Sequence, residues 1–182
     1  MKWIGVFCGS LTGNNPAWLK KTFELGEMFA DQDLGVVYGG GNCGLMNEIA
    51  QGVLSKQGQV IGVLPEILKE KEKAKIGLSE LHYTHTLFQR KEQMIDKSDA
   101  FVILPGGFGT LDEFYEVLVL RQVGHIQSPV YVMNWDGYYT GLLQWMEQQK
   151  VHGLLQMSGN PFSSFEHSED LIETIRRDLG IE

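Results

Sequence analysis

Short apolar runs alternate with stretches in which apolar side chains recur every three or four positions, along nearly the whole chain. The first run, Trp3-Ile4-Gly5-Val6-Phe7, reads as a strand, and the segment after it carries Leu19, Phe23, Leu25, Met28 and Phe29 at helical spacing over 16–32. The same alternation predicts strands over 35–38, 59–63, 100–104 and 129–133. It predicts helices over 45–55, 87–97, 113–122, 137–149 and 169–179. Residues 66–80 are the least regular part and the richest in lysine, and they read as a mobile surface loop or flap. Within them Lys69-Glu70-Lys71-Glu72-Lys73 reads as a solvated face, with closure over a ligand's base as the sharper alternative. Strands alternating with helices predict an α/β fold, a doubly wound, mainly parallel sheet with helices on both faces. No linker, repeat or low-complexity tract divides the chain, so residues 1–182 are expected to form one domain.

In such a sheet the right-handed crossovers bring the turns that follow the strands to one carboxyl edge. Three of those turns are rich in glycine: residues 8–13, 39–44 and 105–110. Glycine lets backbone N–H groups approach an anion closely, and a helix N-terminus favours negative charge. A nucleoside monophosphate is therefore a candidate ligand, held by amides of more than one turn, with the Ser10 and Thr110 hydroxyls as further donors. Gly39, Gly41 and Gly44 satisfy G-x-G-x-x-G, but after the second strand, where the dinucleotide fingerprint does not place it. The Walker pattern with its lysine is absent.

Pro105-Gly106-Gly107-Phe108-Gly109-Thr110-Leu111-Asp112-Glu113 is the most informative of the three turns. It places Glu113 in the first turn of the predicted helix, beside the candidate phosphate seat. Thr110-x-x-Glu113 also has the spacing of a capping box, a structural use of the same residues. Arg90-Lys91, on the helix leading into the preceding strand, would supply an anion clamp next to the carboxylate, or pair with acids on the surface.

Composition narrows the ligand class. A formal charge of −8 argues against nucleic acid or an anionic membrane as partner, while leaving room for a small anion held by local N–H groups. No apolar run approaches the ~20 residues that span a bilayer. The first residues read as a strand rather than a signal peptide, and Cys8 and Cys43 are too few for a disulfide framework, so a cytoplasmic protein is expected. His82 and His85 form H-x-x-H with no third ligand beside them, so no metal site is expected.

Several segments together carry a specific resemblance. Cys8-Gly9-Ser10, Tyr38-Gly39-Gly40-Gly41-x-x-Gly44-Leu45-Met46, Arg90-Lys91-x-x-Met94, Ser98-Asp99-Ala100-Phe101 and Pro105-Gly106-Gly107-x-Gly109-Thr110-x-x-Glu113 resemble the LOG ("Lonely guy") family. Asn134-x-Asp136-Gly137-Tyr138-Tyr139 fits as well, and the likeness runs from about Trp3 to Gly153. Members are Rossmann-like cytokinin riboside 5′-monophosphate phosphoribohydrolases, many once labelled lysine decarboxylase. The resemblance implies hydrolysis of the N-glycosidic bond of AMP or N6-modified AMP to free base and ribose 5-phosphate. It places catalysis on Arg90 and Glu113, and substrate or phosphate binding on Ser10, Gly40, Gly41, Arg90, Lys91, Gly106, Gly107, Gly109 and Thr110. It implies a homodimer or higher homo-oligomer, and neither metal nor redox cofactor. The chain departs from the family pattern at Leu87-Phe88, where Met-His is usual, and at Asn47, where Gly is usual. Arginine keeps its proton at any ordinary pH, so Arg90 does not protonate the leaving base; Asp99 is a candidate. A nucleotide-binding protein that does not turn over is the alternative.

Overall fold

Period-two alternation along the strands decides which helices cover which face of the sheet. In the computed structural model, which describes residues 1–155 and 160–181, the strands are β1 (Lys2–Phe7), β2 (Leu34–Tyr38), β3 (Val60–Pro65), β4 (Glu80–Thr84), β5 (Ala100–Ile103), β6 (Val130–Met133) and β7 (Ser163–Phe165). They form one sheet in the order β4-β3-β2-β1-β5-β6-β7, and every pairing is parallel. Ile4, Val6, Val36, Tyr38 and Val102 point to one face, where α1 (Pro16–Asp31), α2 (Gly44–Ser55) and α7 (Ser168–Leu179) cover them. Phe7, Val37, Phe101 and Ile103 point to the other, under α4 (Leu87–Asp96), α5 (Phe108–Gln122) and α6 (Thr140–Val151). The fold is the doubly wound α/β class expected from the alternation.

Two strands lie outside the pattern read from the sequence. β4 is an edge strand with only Thr84 buried, and β7 is a three-residue edge strand with no buried side chain. An edge strand facing water on one side needs no apolar run, so hydrophobic periodicity passes over it.

The expected flap is also more ordered than its composition suggests. Residues 66–68 form a 3-10 turn and Lys69–Glu72 a single helical turn, α3. Beyond it the chain is stitched to the second glycine turn. Asn42 N–H donates to the Glu72 and Lys73 carbonyls (3.1 and 2.9 Å), and Lys75 N–H donates to the Gly40 carbonyl (3.1 Å).

α1 and α2 approach each other through glycines. A Cβ at Gly26 would lie 2.5 Å from the Ile49 carbonyl oxygen, and one at Gly52 would overlap the Phe23 carbonyl. Both obstacles are backbone, so neither can rotate away. Gly52→Ala is therefore expected to part the helices and cost about 1–3 kcal/mol, read as a lower urea midpoint at unchanged slope.

Candidate active site

From β1 the chain steps outward through β2 and β3 to β4, then returns to place β5 on the other side of β1. The loops after β1 and β5 therefore run in opposite directions, and a crevice opens between them at the carboxyl edge. It holds a cavity of about 720 Å³. The glycine turns are tied to one another around it. Gly9 N–H donates to the Pro105 carbonyl (3.0 Å), and the Gly9 carbonyl accepts from Leu45 N–H (3.0 Å) at the start of α2. Tyr138 and Tyr139 brace the third turn by donating to the Gly106 and Leu104 carbonyls (2.7 and 2.8 Å). Tyr139 is a buried structural residue, while Tyr138 also lines the cavity.

α5 begins at Phe108, five residues before the helix read from the sequence. Its N-cap is Gly107, which has no side chain with which to satisfy the first-turn N–H groups. The first intrahelical bond runs from Leu111 N–H to the Gly107 carbonyl (3.1 Å). The N–H groups of Phe108, Gly109 and Thr110, all residues that line the cavity, are left as donors for an anion. The early start also corrects the capping-box reading. Thr110 lies inside the helix and Glu113 beyond its first turn, so neither side chain caps it.

Glu113 is instead part of a buried ion pair. Its Oε1 lies 3.3 Å from Arg90 Nη2, with both side chains about nine-tenths buried. Arg90 reaches it from the first turn of α4, where the Thr86 hydroxyl caps the helix by accepting from Gln89 N–H (3.1 Å). Gly39 is required here, because any Cβ would occupy the place of the Arg90 guanidinium. Burial pushes the Glu113 carboxyl up to about 7, against the opposing pull of Arg90. Arg90 Nε is buried without a hydrogen-bond partner among the described residues. The cavity thus joins a row of free backbone donors to a desolvated carboxylate and a cation with an unused N–H.

Ser10, Arg90, Gly106, Gly107, Gly109, Thr110 and Glu113 all line this one cavity. Gly40, Gly41 and Lys91 do not. The second glycine turn is covered by residues 72–75, with Gly41 bridged to Ala74. Lys91 is turned toward α5, where its Nζ bonds Asp112 (3.1 Å) and Glu116 (2.6 Å). Asp99, the candidate proton donor, lies at the opposite edge of the sheet, where it accepts from Lys2 Nζ and Trp3 N–H (both 2.8 Å). Leu87 and Phe88 are exposed on the first turn of α4 and do not line the cavity. His82 and His85 turn to different acids, Glu80 and Glu66. Asn14, Asn15, Trp18 and Glu72 line the cavity and escaped the sequence reading; Glu72 is hidden in the lysine-rich run, its signal being its position after β3.

Comparison with known proteins gives the family and the fold. The family model described as "possible lysine decarboxylase" matches residues 46–175. The cytokinin riboside 5′-monophosphate phosphoribohydrolase LOG1 of Arabidopsis thaliana is 39% identical over 154 residues, 85% of this chain and 72% of that protein. The cytokinin riboside 5′-monophosphate phosphoribohydrolase of Rhodococcoides fascians is 39% identical over 155 residues, 85% of this chain and 78% of its own. Among solved structures, the molybdenum cofactor binding protein of Rippkaea orientalis superposes with a TM-score of 0.73 at 24% identity, over 98% of this chain and 97% of that one, a likeness of fold alone.

The raised Glu113 carboxyl makes stability depend on pH in a stated direction. In the unfolded chain it ionises near its ordinary value of 4.5, and in the folded protein near 7. Its contribution is therefore fully present below pH 4.5 and is lost as pH rises through 7. Urea unfolding of wild type and Glu113→Gln at pH 5 and pH 8 isolates it. The difference between the two is expected to shift in favour of the variant at pH 8, by on the order of 3 kcal/mol.

Proposed function

This chain belongs to the LOG family of cytokinin riboside 5′-monophosphate phosphoribohydrolases, and we propose that its cavity hydrolyses the N-glycosidic bond of AMP or an N6-modified AMP. The products are the free base and ribose 5-phosphate. The observation that carries the reading is one cavity holding both the uncapped N-terminus of α5 and the buried Arg90–Glu113 pair. The 5′-phosphate takes the donors of residues 108–110, with the Ser10 and Thr110 hydroxyls beside them. The sugar then lies toward Glu113. As the C1′–N bond breaks, positive charge grows on the ribose, and the adjacent carboxylate stabilises it. Glu113 takes a proton from the water whose oxygen attacks C1′. Arg90 favours the ionised form of Glu113 against its burial and offers its free N–H to ribose or phosphate oxygens.

A binding protein without turnover is the alternative from another class. It has no use for a carboxylate desolvated at this cost beside its ligand, which favours catalysis. Decarboxylation of lysine by pyridoxal phosphate needs a Schiff-base lysine, and no lysine lines the cavity among the described residues.

The active form in this reading is a cytoplasmic homodimer or higher homo-oligomer of one-domain chains. Support for assembly comes from α4 and α5. Val119 and Val123 continue the stripe of α5 that begins with Asp112 and Glu116, and Phe88 joins it through Lys91, whose Nζ lies 5.4 Å from the Phe88 ring. All three apolar side chains are more than half exposed. Both cysteines are free thiols, as suits a reducing compartment.

Two measurements test these statements. Incubation with AMP and with N6-isopentenyl-AMP, followed by chromatography, is expected to yield free base and ribose 5-phosphate. The rate should fall by about 100-fold or more in Glu113→Gln and Arg90→Ala; intact nucleotides with wild type would shift the weight to the binding alternative. Light scattering is expected to show at least two copies for wild type, and one copy for the double variant Val119→Glu, Val123→Glu.

A further inference from the structure

The scheme above leaves the departing base without a proton donor, and the structure holds an unassigned carboxylate in the same cavity. Glu72 ends α3 and lines the cavity with Arg90 and Glu113. Its Oε2 is buried and has no hydrogen-bond partner among the described residues. A buried carboxyl oxygen without a partner is costly as an anion and much cheaper as a neutral acid. Burial does push this carboxyl above the usual carboxylate range, against the opposing charges of Arg90 and Lys71.

The placement of Glu72 is enforced from three directions. Its carbonyl and that of Lys73 accept from Asn42 N–H, and the chain then turns through Lys73 at a left-handed φ of 47°. Two residues later the Lys75 side chain is buried, and its Nζ donates to the side-chain oxygens of Asn47 (2.7 Å), Gln51 (3.0 Å) and Asn42 (3.4 Å). Asn47 is one of the two departures from the family pattern, and here it supplies the shortest of the bonds anchoring Lys75. A glycine at that position has no oxygen to offer.

Sheet order then says which end of the nucleotide Glu72 meets. The phosphate donors follow β5, whereas Glu72 follows β3 and packs over the turn after β2, with its Oε2 3.2 Å from where a Gly41 Cβ would stand. β1 and β2 separate the two, and Arg90 and Glu113 lie in the same cavity with them. With the 5′-phosphate on α5, Glu72 is on the side reached by the sugar's far edge and the base.

We propose that Glu72 is the second catalytic carboxylate of this site, the general acid that protonates the departing base. The C1′–N electron pair goes to the base as the bond breaks, and the proton on Glu72 moves to a ring nitrogen of the base. Water forms the new C1′–O bond and gives its proton to Glu113. Return of that proton through solvent to Glu72 restores both groups, so the net reaction consumes one water. This assignment rests on the hydrolase reading of the same cavity.

The test compares AMP with N7-methyl-AMP, whose base already carries positive charge and leaves without a proton. Glu72→Gln is expected to slow AMP hydrolysis by about 100-fold or more while leaving N7-methyl-AMP turnover within a few-fold of wild type. The retained activity is also the evidence that the variant is folded. Equal losses on both substrates would assign Glu72 to structure or positioning and overturn the proposal, as would no loss on either. Failure of the wild type to release base from AMP would overturn the hydrolase reading itself, a result separate from either of these.

Discussion

Glu113 is held 3.3 Å from Arg90 in a place where both side chains have lost nine-tenths of their contact with water. Desolvating two such charges costs several kcal/mol each, and their attraction returns that only when geometry and hydrogen bonding are good. Here they are incomplete, since Arg90 Nε has no partner among the described residues. A pair of this kind is poor value as a stabilising device and well suited to chemistry on a developing cation. Much of the surrounding architecture serves to hold it. Gly39 makes room for the guanidinium, the Thr86 cap fixes the helix that carries it, and the early start of α5 carries Glu113 past the first turn.

The same early start links the acid to the phosphate seat. Because Gly107 caps α5 without a side chain, the open donors and Glu113 belong to one rigid element, separated by little more than a helical turn. The switch in strand order at β1 supplies the crevice in which that element ends. The reading as a phosphoribohydrolase follows from this coincidence of an anion seat, a desolvated carboxylate and a fixed cation in one cavity.

Much of this was legible in the sequence. The strand-glycine-helix order at 100–122 places an anion seat beside a carboxylate without reference to any structure, and the parallel sheet follows from the alternation of elements. The misses have physical causes. β4 and β7 are edge strands without an apolar run. The helix at 108 was masked by Gly109, which is tolerated in a first turn where the backbone must approach a ligand. Lys91 looked like half of an anion clamp because spacing along a helix does not say which neighbour a side chain meets; Asp112 and Glu116 capture it. Glu72 was invisible for the opposite reason. A lysine-rich run reads as solvated, and only the backbone stitching to Asn42 and the buried Lys75 anchor turn one of its acids inward.

The position of a bound nucleotide tests the site most directly. A crystal structure of Glu113→Gln with AMP bound would show it. The expected result is the 5′-phosphate on the backbone N–H groups of residues 108–110, with C1′ beside residue 113 and the base on the side of Glu72. A phosphate bound away from the N-terminus of α5, or a ribose whose C1′ faces away from residue 113, would contradict it.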